Sequence, residues 1–308
     1  MKLRLSTYLT ITLFLNISII SNAQQINRFF SMGAGNEALG NSNVSNAYDV
    51  SSMYLNPSTL VFMKSNSILV NHTDIRNYLG MEENISYPIL INDSHAFSVG
   101  LDIYHFGYFS IDRNDNYGGQ QILEVGYNGA YATTITPTLS VGALVSFHNG
   151  KTNSSQIWSG SYAVGFNYTP SADASYGLVL RGLGWDIQYV TNQDNSLKAE
   201  KITLLKSIEV GSTMSYPTSA SLRRKFFVLS LSNEKVFTLK GLIYKAGIEI
   251  SPYAFLKLRF GYIYGTNNGL NEPRFGLAFK YNKISFEYTY FPHKSSVIFD
   301  QLSFSVGI

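Results

Sequence analysis

Five histidines, His72, His95, His105, His148 and His293, are the residues of this chain best suited to acid–base chemistry, and each stands apart from the others. No HExxH pair places two imidazoles one helical turn apart for zinc, and no GxSxG turn presents a serine nucleophile. A Ser-His-acid set is defined by geometry and not by order, so one could still assemble in space. With many serines to choose from, that possibility has little content. The chain has no Cys, which removes thiolate nucleophiles, Cys-based metal sites, disulfides and a lipidated cysteine. Gly33, Gly35 and Gly40 resemble a phosphate-cradling loop only loosely. Their spacing is not GxGxxG, no strand precedes them, and no acidic residue follows at the ribose distance. The residues therefore predict a non-enzymatic protein with no cofactor and no metal.

What remains is a set of single charges: Asp102, Glu124, Arg181, Glu209, Lys245, Glu249, Lys257, Arg259, Arg274, Lys280 and Glu287. Their neighbours show what must position them. From Tyr253 to Ile308 apolar residues recur at every second place, the period at which a strand returns side chains to one face. Leu256, Leu258, Phe260, Tyr262 and Tyr264 share one face, and Lys257, Arg259 and Gly261 the other. Phe275, Leu277, Phe279 and Tyr281 oppose Arg274, Gly276, Ala278 and Lys280. Ile284, Phe286, Tyr288 and Tyr290 oppose Ser285, Glu287 and Thr289. Leu302, Phe304, Val306 and Ile308 close the chain against Ser303, Ser305 and Gly307. Earlier segments repeat the contrast, as where Leu139, Val141, Ala143, Val145 and Phe147 oppose Ser140, Gly142 and Ser146.

A soluble sandwich turns its large apolar face inward and a mixed polar face outward. Its outer face has no reason to alternate lone charges with glycine and serine. A transmembrane barrel has that reason, because its apolar side chains meet lipid while small or charged ones meet the lumen, with aromatics as girdles near the strand ends. The fold class predicted is all-β: a transmembrane antiparallel β-barrel with an N-terminal hatch segment in the lumen. The lumen charges then either pair across strands and with the N-terminal segment, stiffening the wall, or line a ligand passage with Arg and Lys.

The opening MKLRLSTYLTITLFLNISIISNAQQ places Lys2 and Arg4 ahead of an apolar run ending near Ile20, with Ser21, Asn22 and Ala23 as a small-residue cleavage site. It reads as a secretory signal peptide over residues 1–23, its apolar run short for a spanning helix. Removing Lys2 and Arg4 takes the basic count from 23 to 21 against 20 acids, a balance that suggests no nucleic-acid partner. No later apolar stretch reaches helix-spanning length. Export, period-2 strands and the absence of such a stretch together predict an integral protein of the outer membrane in a Gram-negative-type envelope, with membrane lipid as its surroundings.

Residues 24–65 are rich in Gly, Ser and Asn, hold no sustained alternation, and are expected to form the hatch or plug. Asn56-Pro57 forces an extended or turn conformation just before the wall. The barrel follows over residues 66–308, with about 14 strand segments near 66–74, 79–90, 95–106, 121–134, 138–148, 158–169, 174–186, 206–216, 224–233, 241–251, 255–265, 273–282, 283–291 and 300–308. Connections after odd strands, such as 110–120, 191–203, 265–272 and 292–299, are long. Those after even strands, such as 91–94, 251–254 and 281–283, are short, as expected for outer loops and periplasmic turns. Arg223, Arg224 and Lys225 fall in one such periplasmic turn, as a solvated cap or a patch for an acidic partner.

The run GAGNEALGNSNVSNAYDVSSMYLNPSTL resembles the hatch start of FadL-like barrels of the PorV/PorQ family, with Gly33, Gly35, Gly40, Asp49, Tyr54, Asn56 and Pro57 in the matching places. HFGYFSIDRNDNYGG with LEVGYNGAYATTITPTLSVGALVSF is similar to that family's third to fifth strands, and the C-terminal segments to its last four. The resemblance implies a fourteen-stranded barrel with a lumenal hatch, in a Bacteroidetes-type bacterium. It further implies a docking or shuttle role in type IX secretion, with translocon or attachment-complex proteins and the C-terminal domains of secreted cargo as partners. FadL proper implies the alternative, uptake of hydrophobic compounds such as fatty acids through an opening in the wall. On that alternative an apolar pocket is expected beside the hatch near Phe29, Phe30, Met32 and Phe62.

Overall fold

The computed structural model describes residues 33–63, 65–76, 80–111, 117–151, 155–193, 196–216, 225–266, 271–292 and 298–308. The expected signal peptide, Phe29, Phe30, Met32, Arg223, Arg224 and His293 lie outside these residues. The described chain opens with two short helices, α1 (Ala34–Ala38) and α2 (Ser52–Leu55), and a 3-10 turn (Pro57–Phe62). Strands then follow without interruption. They are β1 (Ser67–Arg76), β2 (Gly80–Asn92), β3 (His95–Ile111), β4 (Tyr117–Thr136), β5 (Leu139–Lys151), β6 (Ser155–Ser171), β7 (Ala174–Gln193), β8 (Ser196–Ile202), β9 (Ser207–Tyr216), β10 (Phe227–Val236), β11 (Ile243–Tyr253), β12 (Leu256–Gly265), β13 (Asn271–Tyr281), β14 (Ile284–Pro292) and β15 (Ile298–Gly307).

Every strand pairs antiparallel with its neighbours in the wall, β1 pairs with β15, and β6 pairs with β7, so the sheet closes on itself. β8 pairs only with the far half of β7. It forms a hairpin beyond the wall, which leaves a closed barrel of 14 strands with no edge in the ring. No helix among the described residues is long and apolar enough to cross a membrane.

The alternation decides which face is which. Phe260, Tyr262, Tyr264, Phe275, Leu277 and Phe279 are exposed on the outside, while Arg259, Gly261, Arg274, Gly276 and Ala278 between them are buried. Outward rings meet across strands: Phe260 faces Phe275 edge-on with centroids 6.0 Å apart. Two-residue turns at 93–94, 137–138, 172–173, 254–255 and 282–283 join strands at one end of the barrel. The link between β9 and β10 falls at that end too, and its residues 217–224 lie outside the described residues.

The stretch read from sequence as one long connection at 191–203 departs from expectation. β7 continues to Gln193 and pairs with β8 from Ile187 against Ile202 to Gln193 against Ser196. Where the partner of β7 changes from β9 to β8, Gly182 and Gly184 take φ values of 68° and 144°, which residues with a Cβ rarely adopt. The long connection at 110–120 is likewise mostly hairpin, since β3 runs to Ile111 and β4 starts at Tyr117.

Candidate functional site

Residues 33–63 lie against the inward face of the barrel, and the wall is cut away to admit them. A Cβ at Gly142 would fall 2.5 Å from the Ser58 amide nitrogen and 2.6 Å from the Pro57 carbonyl carbon. Gly247 and Gly261 stand in the same relation to Leu39 and Gly40, and Gly177 to Val44. Close backbone approach is the reason small residues alternate with the greasy ones on these strands.

Polar contacts tie the segment to strands all round the ring. The Ala34 amide donates to Ser303 Oγ at 2.8 Å, and Thr289 Oγ1 donates to the Ala34 carbonyl at 2.5 Å. Ser45 Oγ donates to Thr213 Oγ1 at 2.9 Å, Ser140 Oγ to the Ser58 carbonyl at 2.9 Å, and Arg181 Nε to the Leu55 carbonyl at 3.1 Å. Asn56 organises the turn. Its side-chain oxygen accepts from Ser58 N at 3.1 Å and its amide donates to the Val44 carbonyl at 2.8 Å, while Pro57 opens the 3-10 turn where no amide donor is needed. Gly40 has a φ of 63° and leads the chain away from α1. Gly33 lies against Ser51, and Gly35 against the Arg259 guanidinium and the Glu287 carboxylate.

Three ionic clusters occupy one side of the lumen, on β7 and on β9 to β14. Arg259, 2% exposed, reaches Glu249 at 2.8 Å from Nε and Glu287 at 2.7 Å from Nη1, and Lys257 reaches Glu249 at 2.9 Å. The Tyr48 ring lies 5.1 Å from the Arg259 guanidinium carbon and 5.5 Å from Lys257 Nζ. Arg181 and Lys245 form a closed four-membered set with Glu209 and Glu234, with Lys245 to Glu209 at 3.1 Å and to Glu234 at 2.7 Å. Arg274 pairs with Glu37 of α1 and with Glu272 at 2.9 Å, its guanidinium 4.4 Å from the centre of the Phe291 ring. Lys280 follows the inward alternation of β13 but is exposed beside the turn at 282–283.

Burial and then the Glu287 carboxylate push Asp49 up to about 6, against its hydrogen bonds from Ser51 and the nearby Arg259. Burial, and next Glu249, raise the Tyr48 phenol well above its ordinary value.

The other side of the lumen, on β1 to β6, is built differently. Val50, Met53 and Leu60 of the segment bury against Leu69, Ala96, Ala130, Ala132, Leu144 and Ala163 of the wall, with Tyr54, Val61, Met63 and Leu90 at the margin. Tyr54 marks the upper limit of this cluster. Its hydroxyl donates to Asp102 Oδ1 at 3.1 Å and accepts from Asn84 Nδ2 at 3.0 Å, and Asn84 and Asn128 each donate to Asp102 at 2.6 Å. Phe62 is partly buried within the turn that covers the cluster.

The histidines separate. His72 and His95 face outward, His72 against Glu83 at 2.6 Å and His95 against the Tyr131 hydroxyl at 2.7 Å. His148 turns inward, with Nδ1 3.1 Å from Glu124 Oε1, and stands directly across the ladder from Ser159. No group of three or more His, Asp or Glu side chains among the described residues could hold a metal ion. Glu37, Tyr48, Glu82, Glu234 and Glu272 belong to the interior and were not singled out by sequence reasoning. Of these, Glu234 and Glu82 carried a signal, since the inward alternation of Ser230 and Ser232 continues to the first and that of Ser86 and Asn84 to the second.

Neither a family model nor a curated protein sequence matches the chain. Solved structures do match in fold. The toluene transporter TbuX of Ralstonia pickettii superposes with a TM-score of 0.65 at 13% identity, covering 91% of this chain and 99% of that one. The toluene transporter TodX of P. putida gives 0.67 at 12% identity, over 90% of this chain and 98% of that one. A Pseudomonas aeruginosa FadL homologue gives 0.63 at 12% identity, over 89% and 97%. The barrel is thus FadL-like in fold.

Proposed function

We propose that this protein is a non-enzymatic outer-membrane channel for hydrophobic small molecules. The observation that carries the reading is the apolar cluster enclosed within the lumen. In a lumen otherwise lined by polar and charged side chains, Leu69, Ala96, Ala130, Ala132, Leu144 and Ala163 gather on the inner face around Val50, Met53 and Leu60, which gives an apolar compound a station once the segment is displaced. The fold likeness to proteins described as toluene transporters and monoaromatic hydrocarbon channels supports it. On this reading residues 33–63 act as a hatch. The Asn56-Pro57 turn and Leu60 cover the apolar station, and a passing compound takes over contacts that the hatch makes at rest.

A docking or shuttle role in type IX secretion, which the PorV/PorQ resemblance implied, gains nothing from the geometry or from the solved neighbours. The hydrophobic-compound reading, until now the alternative, replaces it. The partners carried forward are outer-membrane lipid and a hydrophobic small molecule. Saturable binding of deuterated toluene by the full chain in lipid nanodiscs, above that of empty nanodiscs, is the expected result. Binding that never saturates, together with undiminished uptake in a deletion strain, would sink the proposal.

A further inference from the structure

The interior sorts by charge, and this bears on which hydrophobic compounds it admits. On β2, β3 and β4 the inward side chains change character from the turn end upward. β3 presents Ala96, Ser98, Gly100, Asp102 and Tyr104 inward; β4 presents Ala132, Ala130, Asn128, Gly126 and Glu124; β2 presents Ser86, Asn84 and Glu82. By register, small and apolar groups lie lowest, Asn128 comes next beside Gly100, then Asn84 and Asp102 at one level, and Glu82 and Glu124 stand above them on either side of Tyr104. The contacts at Gly100 fix this order, since a Cβ there would meet both Met53 Cε, in the apolar cluster, and the Tyr54 hydroxyl, which donates to Asp102. No Lys or Arg side chain faces inward from β1 to β6 among the described residues, where His148 is the one basic group.

Among the described residues, the opposite wall offers no cation to compensate. Arg181, Lys245, Lys257, Arg259 and Arg274 are each in contact with at least one carboxylate. A guanidinium already bridged by two carboxylates, as Arg259 is by Glu249 and Glu287, has little left to give an incoming anion. Lys280 stands exposed at the rim, beyond the apolar cluster.

Resting on the channel reading above, we infer that the carboxylates Glu82, Asp102 and Glu124 make the channel selective for uncharged hydrophobic molecules over amphiphiles that carry a carboxylate. A compound descending to the apolar cluster passes these three groups, and an anionic head would stop beside them with no free cation to receive it. Desolvating that head is costly in itself, and like charges within several ångströms add to the cost. An uncharged hydroxyl on the same chain length brings no charge to desolvate and meets no like charge.

The test compares labelled 1-decanol with labelled decanoate at pH 8, by equilibrium dialysis against the full chain in nanodiscs with empty nanodiscs subtracted. Decanol is expected to bind at least about tenfold more tightly, the scale of one like-charge contact at an intermediate dielectric. The variants E82Q and E124Q, and separately D102N, are expected to narrow the ratio by raising decanoate affinity. Because D102N disturbs the Tyr54, Asn84 and Asn128 hydrogen bonds, the two glutamine variants keep the test valid if it fails to fold. Equal or tighter binding of decanoate by the native protein overturns the selectivity and leaves the channel reading standing. Saturable binding of neither probe overturns both.

Discussion

The two sides of the lumen hold the same N-terminal segment by opposite means. On β9 to β14 the contacts are ionic and directional: Arg274 clasps Glu37 of α1, and Arg259 lies against Gly35 between two glutamates. On β1 to β6 the segment is held by burial of Val50, Met53 and Leu60 against small wall residues. Burial is roughly proportional to area and indifferent to direction, so it weakens by degrees. A buried ion pair is costly to part, because each charge is left in a poor solvent. The difference teaches where the segment can yield. On the channel reading proposed above, the ionic side is the anchor, and the side that gives way is the one lined by alanines and covered by the 3-10 turn.

Breaking the anchor is expected to have the largest effect. Arg259→Leu removes the cation that Glu249 and Glu287 share, leaving Glu249 with Lys257 alone, a loss of about 3–5 kcal/mol. It would appear as a lower temperature at which the barrel loses its folded electrophoretic mobility. A variant as stable as the native chain would show that the ionic side is not an anchor.

The yielding side should respond more mildly and in a different observable. Leu60→Ala removes a fully buried side chain from the apolar cluster and should cost about 2–4 kcal/mol at most, less if the 3-10 turn settles into the space. The segment should become easier to cleave by protease in that turn while Glu37 stays paired with Arg274. Cleavage near α1 instead would reverse the assignment of anchor and gate.

Asp49 sharpens the comparison through pH. Its carboxyl is pushed up to about 6 in the folded chain from an ordinary value near 3.8, so the folded state holds the proton more tightly. Its contribution to stability therefore falls as pH rises from about 4 through 6 and is constant above. Discounted for the surface it retains, the change is about 1–2 kcal/mol. Asp49→Asn should flatten that part of the stability profile relative to the native chain. An unchanged slope would remove Asp49 from the ionic side's account.

How much of this was legible in the sequence follows from the same physics. Lipid imposes a strict alternation, so segments such as 256–264 and 273–281 could be read residue by residue. Beyond the lipid neither face of a hairpin is obliged to be apolar, and for that reason the pairing of β7 with β8 left no period in residues 191–202. The interior was harder. Arg259 and Glu249 are opposite one another on adjacent strands and could be found by register. Glu37 has no such position, because α1 is enclosed on all sides and shows no amphipathic stripe. Glu272 was lost to a loop that proved to be the start of β13.

Tyr54→Phe isolates the boundary between the two regimes on the yielding side. The phenyl ring can keep its place beside Met53, while Asp102 loses one of its hydrogen-bond donors and Asn84 one of its acceptors. A single bond of this kind is worth about 1 kcal/mol, so the barrel should remain folded with its thermal midpoint barely moved. Asn84 and Asn128 still donate to Asp102, so the carboxylate stays in place at the head of the apolar cluster. The variant should then bind 1-decanol and decanoate in about the native ratio. Tighter binding of decanoate would mean that the tyrosine hydroxyl, rather than the carboxylate above it, sets which molecules reach the apolar cluster.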